Sequence, residues 1–531
     1  MEYVKNFKEL VAGCVKDKPE GAAFRWLDKT KIIEKTYREF QSDINALGTY
    51  FYYNGLKKAR IAVIGENSYE WILTYFTTVI GGGVIIPVDR DLKAVAIINV
   101  LKDSGAKALV YTDSYNSIIE EVRKGAGVKV INKNEFAALI AEGNTLLGKG
   151  KDKYLRIETN ERDMSTIIYT SGTTGNPKGV MLCQEGIMSD CRQAAEHVKV
   201  TGPSMLVLPI HHTFGFTAGV AAVLFFRVPI CINKSLRTFL TDMQTFKPEN
   251  MFLVPMFVEA MHKKIWKGIA EKNMTAAVKA LMKTSNGLRK IGIDRRKSMF
   301  KQIHESFGGN LNVIISGGAA LDPLYVKEFE DFGITLLNGY GITECSPVVA
   351  VNSNNGKDEN RIGSVGLVLP GTDVKIINED DNGCGEICVK GSIVMLGYYN
   401  NKEATADAME GGWFNTGDLG YLDDDNYLYI SGRKKNLIIL NNGKNIYPEE
   451  LEELLLRIPD VIEVVVYNED ETITAEIYTE NPSAVQRAVK VLNRGLPVYK
   501  VIKNLKFRST EFEKTTTKKI KRALVGRKSQ I

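Results

Sequence analysis

Residues 169–180 read Tyr-Thr-Ser-Gly-Thr-Thr-Gly-Asn-Pro-Lys-Gly-Val and directly follow the short run Ser165-Thr166-Ile167-Ile168. A buried strand that ends in glycines and hydroxylated residues presents backbone N–H groups and hydroxyls to an anion, and Lys178 adds a positive charge. The phosphate loop of nucleotide hydrolases has Ser or Thr after its lysine to hold magnesium, whereas Gly179 follows here. The stretch therefore predicts a triphosphate-binding loop of another kind, with a ligand-free surface loop as the alternative.

Around this loop, short β-branched runs alternate with longer helical segments over the first two thirds of the chain. Helical periodicity is present in residues 69–80 and 94–103. The alternation predicts an α/β fold of layered subdomains, in which helices cover both faces of the sheets. Buried parallel strands are predicted at residues 61–64, 108–111, 128–131, 167–169, 252–254 and 313–315.

The later part of the sequence has a different texture. Between about residues 360 and 430, short strands separated by Gly, Asp and Asn turns indicate a small antiparallel sheet or barrel. After a charged linker, a helix that begins at Pro448 precedes two strands and a second helix, which is typical of a compact α+β unit. Because 531 residues exceed one hydrophobic core, we expect an N-terminal domain over residues 1–433 and a small, mobile C-terminal domain over residues 434–531.

The composition is that of an ordinary globular protein, with 44% hydrophobic and 25% charged residues. The net charge of +6 is small for this length, so the sequence does not indicate a nucleic-acid partner. Basic residues are frequent after Lys500, where a solvated tail and a surface that meets polyphosphate are the alternatives. The seven cysteines form no C-x-x-C pair, which predicts a reduced, cytoplasmic protein.

Residues 206–226 form the one stretch whose apolar content resembles that of a membrane span. The residues Pro209, His211, His212, Gly215 and Gly219 interrupt it, which favours buried core. We therefore expect no transmembrane segment and at most peripheral contact with membranes.

Four further clusters carry side chains suited to a nucleotide. Residues 338–344, Asn-Gly-Tyr-Gly-Ile-Thr-Glu, offer an aromatic face, a hydroxyl and a carboxylate, and residues 412–418 end in an acid suited to a sugar diol. Arg433 and Lys519 complete the set. Taken singly, these residues have ordinary structural alternatives: a helix cap for Glu344, a core ring for Tyr340 and a turn acid for Asp418.

In this order and spacing, the five clusters resemble the AMP-forming acyl-adenylate superfamily, which comprises acyl-CoA synthetases, peptide-synthetase adenylation domains and luciferases. The resemblance extends from about residue 20 to 525 and includes two linker-like segments, Gly385–Gly391 and Gly397–Tyr399. The stretch at residues 432–448 is most similar to the fatty acyl-CoA synthetase branch. The resemblance implies an acid–thiol ligase that converts a carboxylic acid and ATP to an acyl-adenylate and pyrophosphate, and then forms a thioester with coenzyme A.

The resemblance also implies a role for each matching position. The β- and γ-phosphates of ATP would lie against Thr170, Ser171, Gly172, Thr173, Thr174, Gly175 and Lys178. Thr343 would contact the α-phosphate, and Glu344 would bind Mg²⁺. Adenine would stack on Tyr340 near Asn338, Gly339, Gly318 and Ala319, and the ribose would meet Asp418, Ile430 and Arg433.

Lys519 is implied to bridge the substrate carboxylate and the α-phosphate, where it would stabilise the charge that develops during attack. The family has glycine before this lysine, whereas this chain has Lys518, which predicts either a partial substitute for Lys519 or a stiffer loop. Lys435 matches the family's hinge position, and Gly443 lies in the segment that rotation of the small domain would bring to the thiol tunnel.

His212 matches the aromatic position that the family places beside the acyl site, with a satisfied core histidine as the alternative. Small residues implied to leave room for an apolar chain favour a fatty acid: Gly215, Gly317, Gly339 and Gly341. Two other functions stay open at this point. One is transfer to a carrier-protein thiol, or adenylation alone; the other, of a different class, is a non-catalytic nucleotide- or acyl-binding protein.

Overall fold

The computed structural model describes residues 4–170, 177–356, 360–439, 444–469, 472–514 and 520–526. The chain divides into two compact units. The first unit comprises Met1–Asp373 and Lys390–Gly412, and the second comprises Val374–Val389 and Trp413–Ile531. The domain boundary predicted between residues 433 and 434 separates an N-terminal domain from a C-terminal domain that moves during catalysis. That boundary stays a prediction.

Helices alternate with strands along the first unit, and the last two helices belong to the second. Their bounds are α1 Phe7–Asp17, α2 Tyr37–Tyr53, α3 Tyr69–Ile80, α4 Ala94–Ser104, α5 Ile119–Ala126, α6 Phe136–Gly148, α7 Gln184–His197, α8 Ala222–Phe225, α9 Phe239–Phe246, α10 Pro255–Glu271, α11 Thr275–Lys290, α12 Arg296–Met299, α13 Lys301–Ser306, α14 Pro323–Phe332, α15 Lys402–Ala408, α16 Pro448–Leu456 and α17 Pro482–Arg494.

The strands are short, as the sequence predicts. Their bounds are β1 Ala22–Asp28, β2 Lys31–Thr36, β3 Arg60–Ile64, β4 Val84–Pro87, β5 Ala108–Tyr111, β6 Lys129–Asn132, β7 Met164–Thr170, β8 Lys178–Cys183, β9 Ser204–Leu206, β10 Ile230–Ile232, β11 Asn250–Leu253, β12 Val313–Ser316, β13 Thr335–Gly341, β14 Val348–Val351, β15 Leu367–Val368, β16 Thr372–Ile377, β17 Gly385–Gly391, β18 Gly397–Tyr398, β19 Met409–Glu410, β20 Trp413–Leu422, β21 Leu428–Arg433, β22 Ile438–Ile439, β23 Asn445–Ile446, β24 Glu463–Glu469, β25 Thr472–Tyr478 and β26 Asn504–Arg508.

Two large sheets form the first unit. One runs in the order β15-β14-β13-β12-β11-β9-β10-β1-β2, and its central strands from β13 to β1 are parallel. The other runs β18-β8-β7-β4-β3-β5-β6, with β7 parallel to β4 and antiparallel to β8. In both sheets the chain leaves the carboxyl ends of parallel strands at candidate site positions, which is where open α/β sheets bind ligands.

Local signals place the helices between these strands. Ser68 caps α3 by accepting a hydrogen bond from the Trp71 N–H at 3.2 Å, and nearly the whole helix is buried. Gly105 ends α4 in the left-handed region at φ 66°, which glycine adopts without strain. The helices predicted at residues 69–80 and 94–103 are therefore confirmed.

The stretch at residues 206–226 is buried core, as its interruptions predict. It contains the end of β9, a π-helix at Phe214–Ala221 and α8, and most of its side chains are inaccessible to solvent. No helix in the described part of the chain has the length and apolarity needed to cross a membrane. All seven cysteines lie in described ranges, where they are buried thiols.

In the second unit, β17, β20 and β21 pair antiparallel, and β16 lies beside β17. The sheet formed by these described strands is open, so the antiparallel sheet predicted near residues 360–430 is confirmed and the barrel alternative is wrong. The end of the unit is an α+β layer, in which α16 and α17 pack on β24, β25 and β26 around Leu451, Leu455 and Val485.

Candidate nucleotide and acyl-activation site

Three sequence motifs of the first unit meet at the ring of Tyr398. Its hydroxyl donates a hydrogen bond to Glu344 Oε1 at 2.9 Å. The Lys178 ammonium lies 4.9 Å from the centroid of the same ring. Burial, and then the negative charge of Glu344, raise the pKa of Tyr398, so its hydroxyl remains a donor at every physiological pH. The structure thus brings the lysine of the phosphate loop and the predicted metal ligand to one side chain.

The strand pairing explains how this meeting is held. Residues Thr170 and Lys178 are register partners in β7 and β8, and the Thr170 hydroxyl donates to the Lys178 carbonyl at 3.4 Å. Strand β18 pairs with the outer edge of β8, and the Tyr399 N–H donates to the Gly179 carbonyl at 2.7 Å. Lys178 and Tyr398 therefore project from neighbouring strands of one sheet.

Glu344 and Thr343 belong to a short helical turn between β13 and β14. The Met395 N–H donates to the Glu344 carbonyl at 2.8 Å, which ties this turn to the segment before Tyr398. The hydroxyls of Thr343 and Thr213 are 3.4 Å apart. Thr213 directly precedes the π-helix, an element that is frequent at functional sites.

The predicted acyl-site histidine lies beside a second histidine. The ring centroids of His211 and His212 are 4.1 Å apart, and His211 Nε2 lies 3.3 Å from Asp89 Oδ1. His212 is more exposed than His211, which is almost fully buried. Its place next to Thr213 brings it near the Thr343 turn, and its role at an acyl group stays a prediction.

Two buried polar groups lie side by side at the carboxyl end of β12 and in the middle of β13. Ser316 and Asn338 are register partners, and the Ser316 hydroxyl and Asn338 Oδ1 have no hydrogen-bond partner among the described residues. Buried polar atoms are rarely left unpaired, so this pair fits a polar ligand. The exposed turn that contains Gly318, at φ 87°, and Ala319 follows Ser316, and Tyr340 lies two residues beyond Asn338.

The ribose residues predicted from the sequence lie in the second unit. Arg433 Nε donates to Asp418 Oδ1 at 2.7 Å, and the two residues are register partners in β20 and β21. The Asp418 N–H donates to Thr416 Oγ1 at 3.0 Å, and Gly417 between them adopts φ 70°. Ile430 is half-buried in β21, opposite Gly420. Asp418 and Arg433 therefore present one joint polar group, and their role at a ribose stays a prediction.

Lys435 follows β21 in a short helical turn. Burial, then the positive charges of Arg433 and Arg522, lower the pKa of Lys435. Arg522 itself is held by Glu452, whose other oxygen accepts the Val466 N–H at 2.6 Å. The predicted hinge position therefore lies in a cluster of cations that α16 partly neutralises.

Several predicted residues lie outside the described ranges. They are Ser171, Gly172, Thr173, Thr174, Gly175, Gly443, Lys518 and Lys519. The described residues on either side of Lys519 pair with each other: Lys514 and Ile520 form an antiparallel bridge, and the Lys521 N–H donates to the Glu513 carbonyl at 2.8 Å.

The glycines implied to leave room for an acyl chain have different roles. A Cβ on Gly215 would lie 2.2 Å from the Pro209 carbonyl oxygen, and one on Gly341 would lie 2.1 Å from that of Pro347. At these two positions close packing of the chain's own backbone already requires glycine. A Cβ on Gly317 would lie 3.3 Å from the Phe214 ring as its nearest neighbour, so this position still fits the side of an acyl pocket.

The contact between Tyr398 and Glu344 has no direct signal in the sequence. In the sequence, Gly397–Tyr399 resembles only a linker segment, because Tyr398 and Glu344 are 54 residues apart and their contact depends on β18 pairing with β8. The sequence signal at this position is a tyrosine directly after a glycine, and the structure shows that glycine at φ 129°.

The donor set fits a magnesium ion that is bound mainly by substrate. Among the described residues, no group of three or more His, Cys, Asp and Glu side chains could hold a metal ion alone. Mg²⁺ is usually bound through one or two carboxylates together with substrate phosphates. Tyr398 occupies one oxygen of Glu344 and leaves the second carboxylate oxygen for a cation.

The sequence profile described as AMP-binding enzyme matches residues 13–399, which is more than half of the chain. The chain belongs to the AMP-binding enzyme family. This family performs adenylate-forming acyl activation. The motifs at residues 169–180 and 338–344 lie within the matched segment, and those at 412–418, Arg433 and Lys519 lie after it. The fold agrees, since this AMP-binding enzyme combines a large α/β unit with a smaller second one.

Curated relatives extend the similarity to nearly full length. The AMP-binding enzyme is 28% identical over 517 residues to the long-chain-fatty-acid–CoA ligase FadD15 of Mycobacterium bovis, covering 91% of this chain and 83% of the relative. It is 27% identical over 560 residues to the long-chain-fatty-acid–CoA ligase of Salmonella typhimurium, covering 95% and 92%. The solved structure of the Bacillus subtilis O-succinylbenzoate coenzyme A synthetase MenE with ATP and magnesium ion matches with a TM-score of 0.75 at 21% identity, over 97% and 98% of the chains. This last likeness establishes the fold.

Proposed function

We propose that the protein activates a fatty acid with ATP to an acyl-adenylate and transfers the acyl group to coenzyme A, releasing pyrophosphate and AMP. One observation carries the proposal: Lys178, Tyr398 and Glu344 converge within a single unit of an AMP-binding enzyme. A charge that anchors phosphate and a carboxylate that binds magnesium must lie close together, because both act on the same triphosphate.

The residues divide the work of the first half-reaction. Lys178 supports the outer phosphates, together with Thr170 and the loop that follows it. Thr343 is positioned by Thr213 to donate to the α-phosphate, where negative charge increases as the carboxylate attacks. Mg²⁺, held through Glu344, would neutralise the leaving pyrophosphate.

The nucleoside end of the site is assigned from polar groups that keep hydrogen-bonding capacity. Asn338 Oδ1 is a buried acceptor, suited to the amino group of adenine, and Tyr340 follows it on the same strand. Asp418 accepts from Arg433, and its carboxylate is the kind of acceptor that suits the ribose hydroxyls.

Lys519 is assigned to the approach of the two anionic reactants, the carboxylate and the α-phosphate. An ammonium between them offsets their repulsion and is no longer needed once AMP has become the leaving group. We propose that the residues after Lys435 move between the half-reactions, so that Lys519 withdraws and the segment that includes Gly443 approaches the thiol.

We propose a fatty acid and coenzyme A as the acid and thiol substrates because the two relatives described above are long-chain-fatty-acid–CoA ligases. The seven cysteines, all buried thiols, favour a reducing compartment, such as the cytoplasm, as the place of the reaction.

The test measures AMP and pyrophosphate with purified protein, ATP, Mg²⁺ and coenzyme A across short, medium, long and aromatic acids. We expect AMP and acyl-CoA to form in equal amounts with an apolar acid. Formation of ADP would refute the reaction, and so would absence of pyrophosphate release with every acid. Thioester formation with a carrier protein and not with coenzyme A would refute the assigned acceptor alone.

A further inference from the structure

One segment of the first unit has a large excess of positive charge. Residues 255–301 contain twelve lysines and arginines and three acidic residues, a net charge of +9. The whole chain has a net charge of +6, so the rest of the chain has a net charge of −3. The segment comprises α10, α11, α12 and the first residue of α13. None of its charged residues has a part in the proposed reaction.

Many of these cations are not neutralised by the fold. Arg289 and Arg296 pair with Glu330 at 3.2 and 2.8 Å, and Lys263 pairs with Glu259 at 2.6 Å. Five others are exposed and have no carboxylate partner among the described residues: Lys264, Lys267, Lys283, Lys290 and Arg295. An uncompensated charge of this density attracts an anionic partner.

Three lysines of α11 lie on one side of that helix, whereas Arg289 faces Glu330 on another. Val278 and Met282 on the inner side are buried in the hydrophobic core. At about 100° per residue, Lys279, Lys283 and Lys290 fall within about 40° of one another. All three are exposed, and Lys279 lies 5.8 Å from the Trp266 ring centroid on α10. The outer side of α11 is therefore a stripe of cations.

Large apolar side chains are exposed at both ends of this stripe. Met274, directly before α11, is 44% exposed. Ile291, directly after Lys290, is 71% exposed, and Ile293 is 43% exposed. The turn between these isoleucines contains Gly292 at φ 81°. The free energy of an exposed isoleucine side chain falls when the side chain moves from water into an apolar phase.

We propose that this surface docks on an anionic lipid membrane. This surface consists of Met274, Lys279, Lys283, Lys290, Ile291 and Ile293. A lysine stripe with apolar side chains at its ends matches a layer of anionic head groups above acyl chains, and the combined charge and apolar area gives the binding energy. A nucleic acid would match the charges, but it offers no apolar phase to the isoleucines. The proposal does not depend on the reaction proposed above.

The test is sedimentation of the full chain with vesicles of phosphatidylglycerol and phosphatidylcholine, compared with vesicles of phosphatidylcholine alone. The first variant combines Lys279→Gln, Lys283→Gln and Lys290→Gln. Each basic side chain near an anionic surface contributes about fivefold in binding (about 1 kcal/mol), so we expect roughly a 100-fold loss. The matched control combines Lys102→Gln, Lys107→Gln and Lys124→Gln, which are exposed lysines of α4, α5 and the turn after α4 and have the same total charge.

A second variant, Ile291→Ser with Ile293→Ser, keeps the charge and tests the apolar part. We expect it to weaken binding to anionic vesicles at least about tenfold, because two exposed aliphatic side chains no longer enter the membrane. An unchanged thermal unfolding midpoint confirms that each variant is folded. Equal losses in both lysine triples would overturn the proposal, as would equal binding to uncharged vesicles. Tight binding to duplex DNA that the serine variant leaves intact, with no binding to vesicles, would assign the surface to a nucleic acid.

Discussion

The contact between Tyr398 and Glu344 gives the sharpest test of the site. Tyr398→Phe removes the hydroxyl that donates to Glu344 Oε1 at 2.9 Å and keeps the ring beneath Lys178. A hydrogen bond to a charged group contributes about 1.5–3 kcal/mol, and at about 1.4 kcal/mol per tenfold this predicts a 10- to 100-fold loss in kcat/KM for ATP. The Mg²⁺ concentration for half-maximal rate should rise as well, because Glu344 is no longer held in one orientation.

The neighbouring tyrosine supplies the control. Tyr399 contacts Arg60 through its hydroxyl and does not reach Glu344. Tyr399→Phe removes the same atom one residue away, and we expect it to change kcat/KM less than about threefold. Because burial and the charge of Glu344 raise the pKa of Tyr398, the wild type and Tyr398→Phe should have pH–rate profiles of the same shape up to about pH 9.

The assay is pyrophosphate release at saturating fatty acid, with ATP and Mg²⁺ varied in turn. A Tyr398→Phe enzyme within about twofold of wild type would refute the reasoning. So would equal losses in the two phenylalanine variants, since the effect would then not come from the bond to Glu344.

Three further predictions concern other parts of the chain. Lys519→Ala should slow adenylation at least 100-fold and largely spare thioester formation from pre-made acyl-adenylate; equal losses in both half-reactions would contradict its role. Gly341→Ala should abolish most AMP formation while the protein stays folded by circular dichroism, because its Cβ would meet the Pro347 carbonyl oxygen at 2.1 Å and displace the turn that follows. Burial raises the pKa of Asp190, which accepts the Val348 N–H at 3.0 Å, so the folded state retains a proton that the unfolded chain loses above about pH 4. The free energy of unfolding of the wild type should therefore fall with rising pH by up to about 1.4 kcal/mol per pH unit. The substitution Asp190→Asn should remove that slope. Urea unfolding of both proteins between about pH 5 and pH 7 measures it.

The sequence predicts the strands and helices of this fold well because their signals are local. Residues 69–80 form α3 as predicted, since Ser68 caps the helix and Gly81 and Gly82 follow it. The strand predicted at 313–315 is β12 at Val313–Ser316, because a run of buried β-branched residues favours a strand between two others. No local signal shows whether the sheet near residue 420 is open or closed, since short strands with Gly and Asn turns suit an open sheet and a barrel equally.

The site shows the same division. Motifs that are contiguous in sequence, such as Thr343-Glu344 and the pair Thr170 and Lys178, could be recognised from residue types and order. The bond from Tyr398 to Glu344 could not, because it depends on the pairing of two strands that are more than 200 residues apart in the chain. Glycine is ambiguous in a similar way: the absence of a side chain at Gly341 suggested space for substrate, whereas the structure fills that space with the Pro347 carbonyl.

The candidate ribose residues are ordered within their own unit, and this order has an energetic consequence. Lys178, Thr343 and Glu344 belong to the first unit, whereas Asp418 and Arg433 belong to the second. The pair Asp418 and Arg433 is already formed within the second unit, so a ligand that binds to this pair, such as the proposed ribose, does not have to order these side chains.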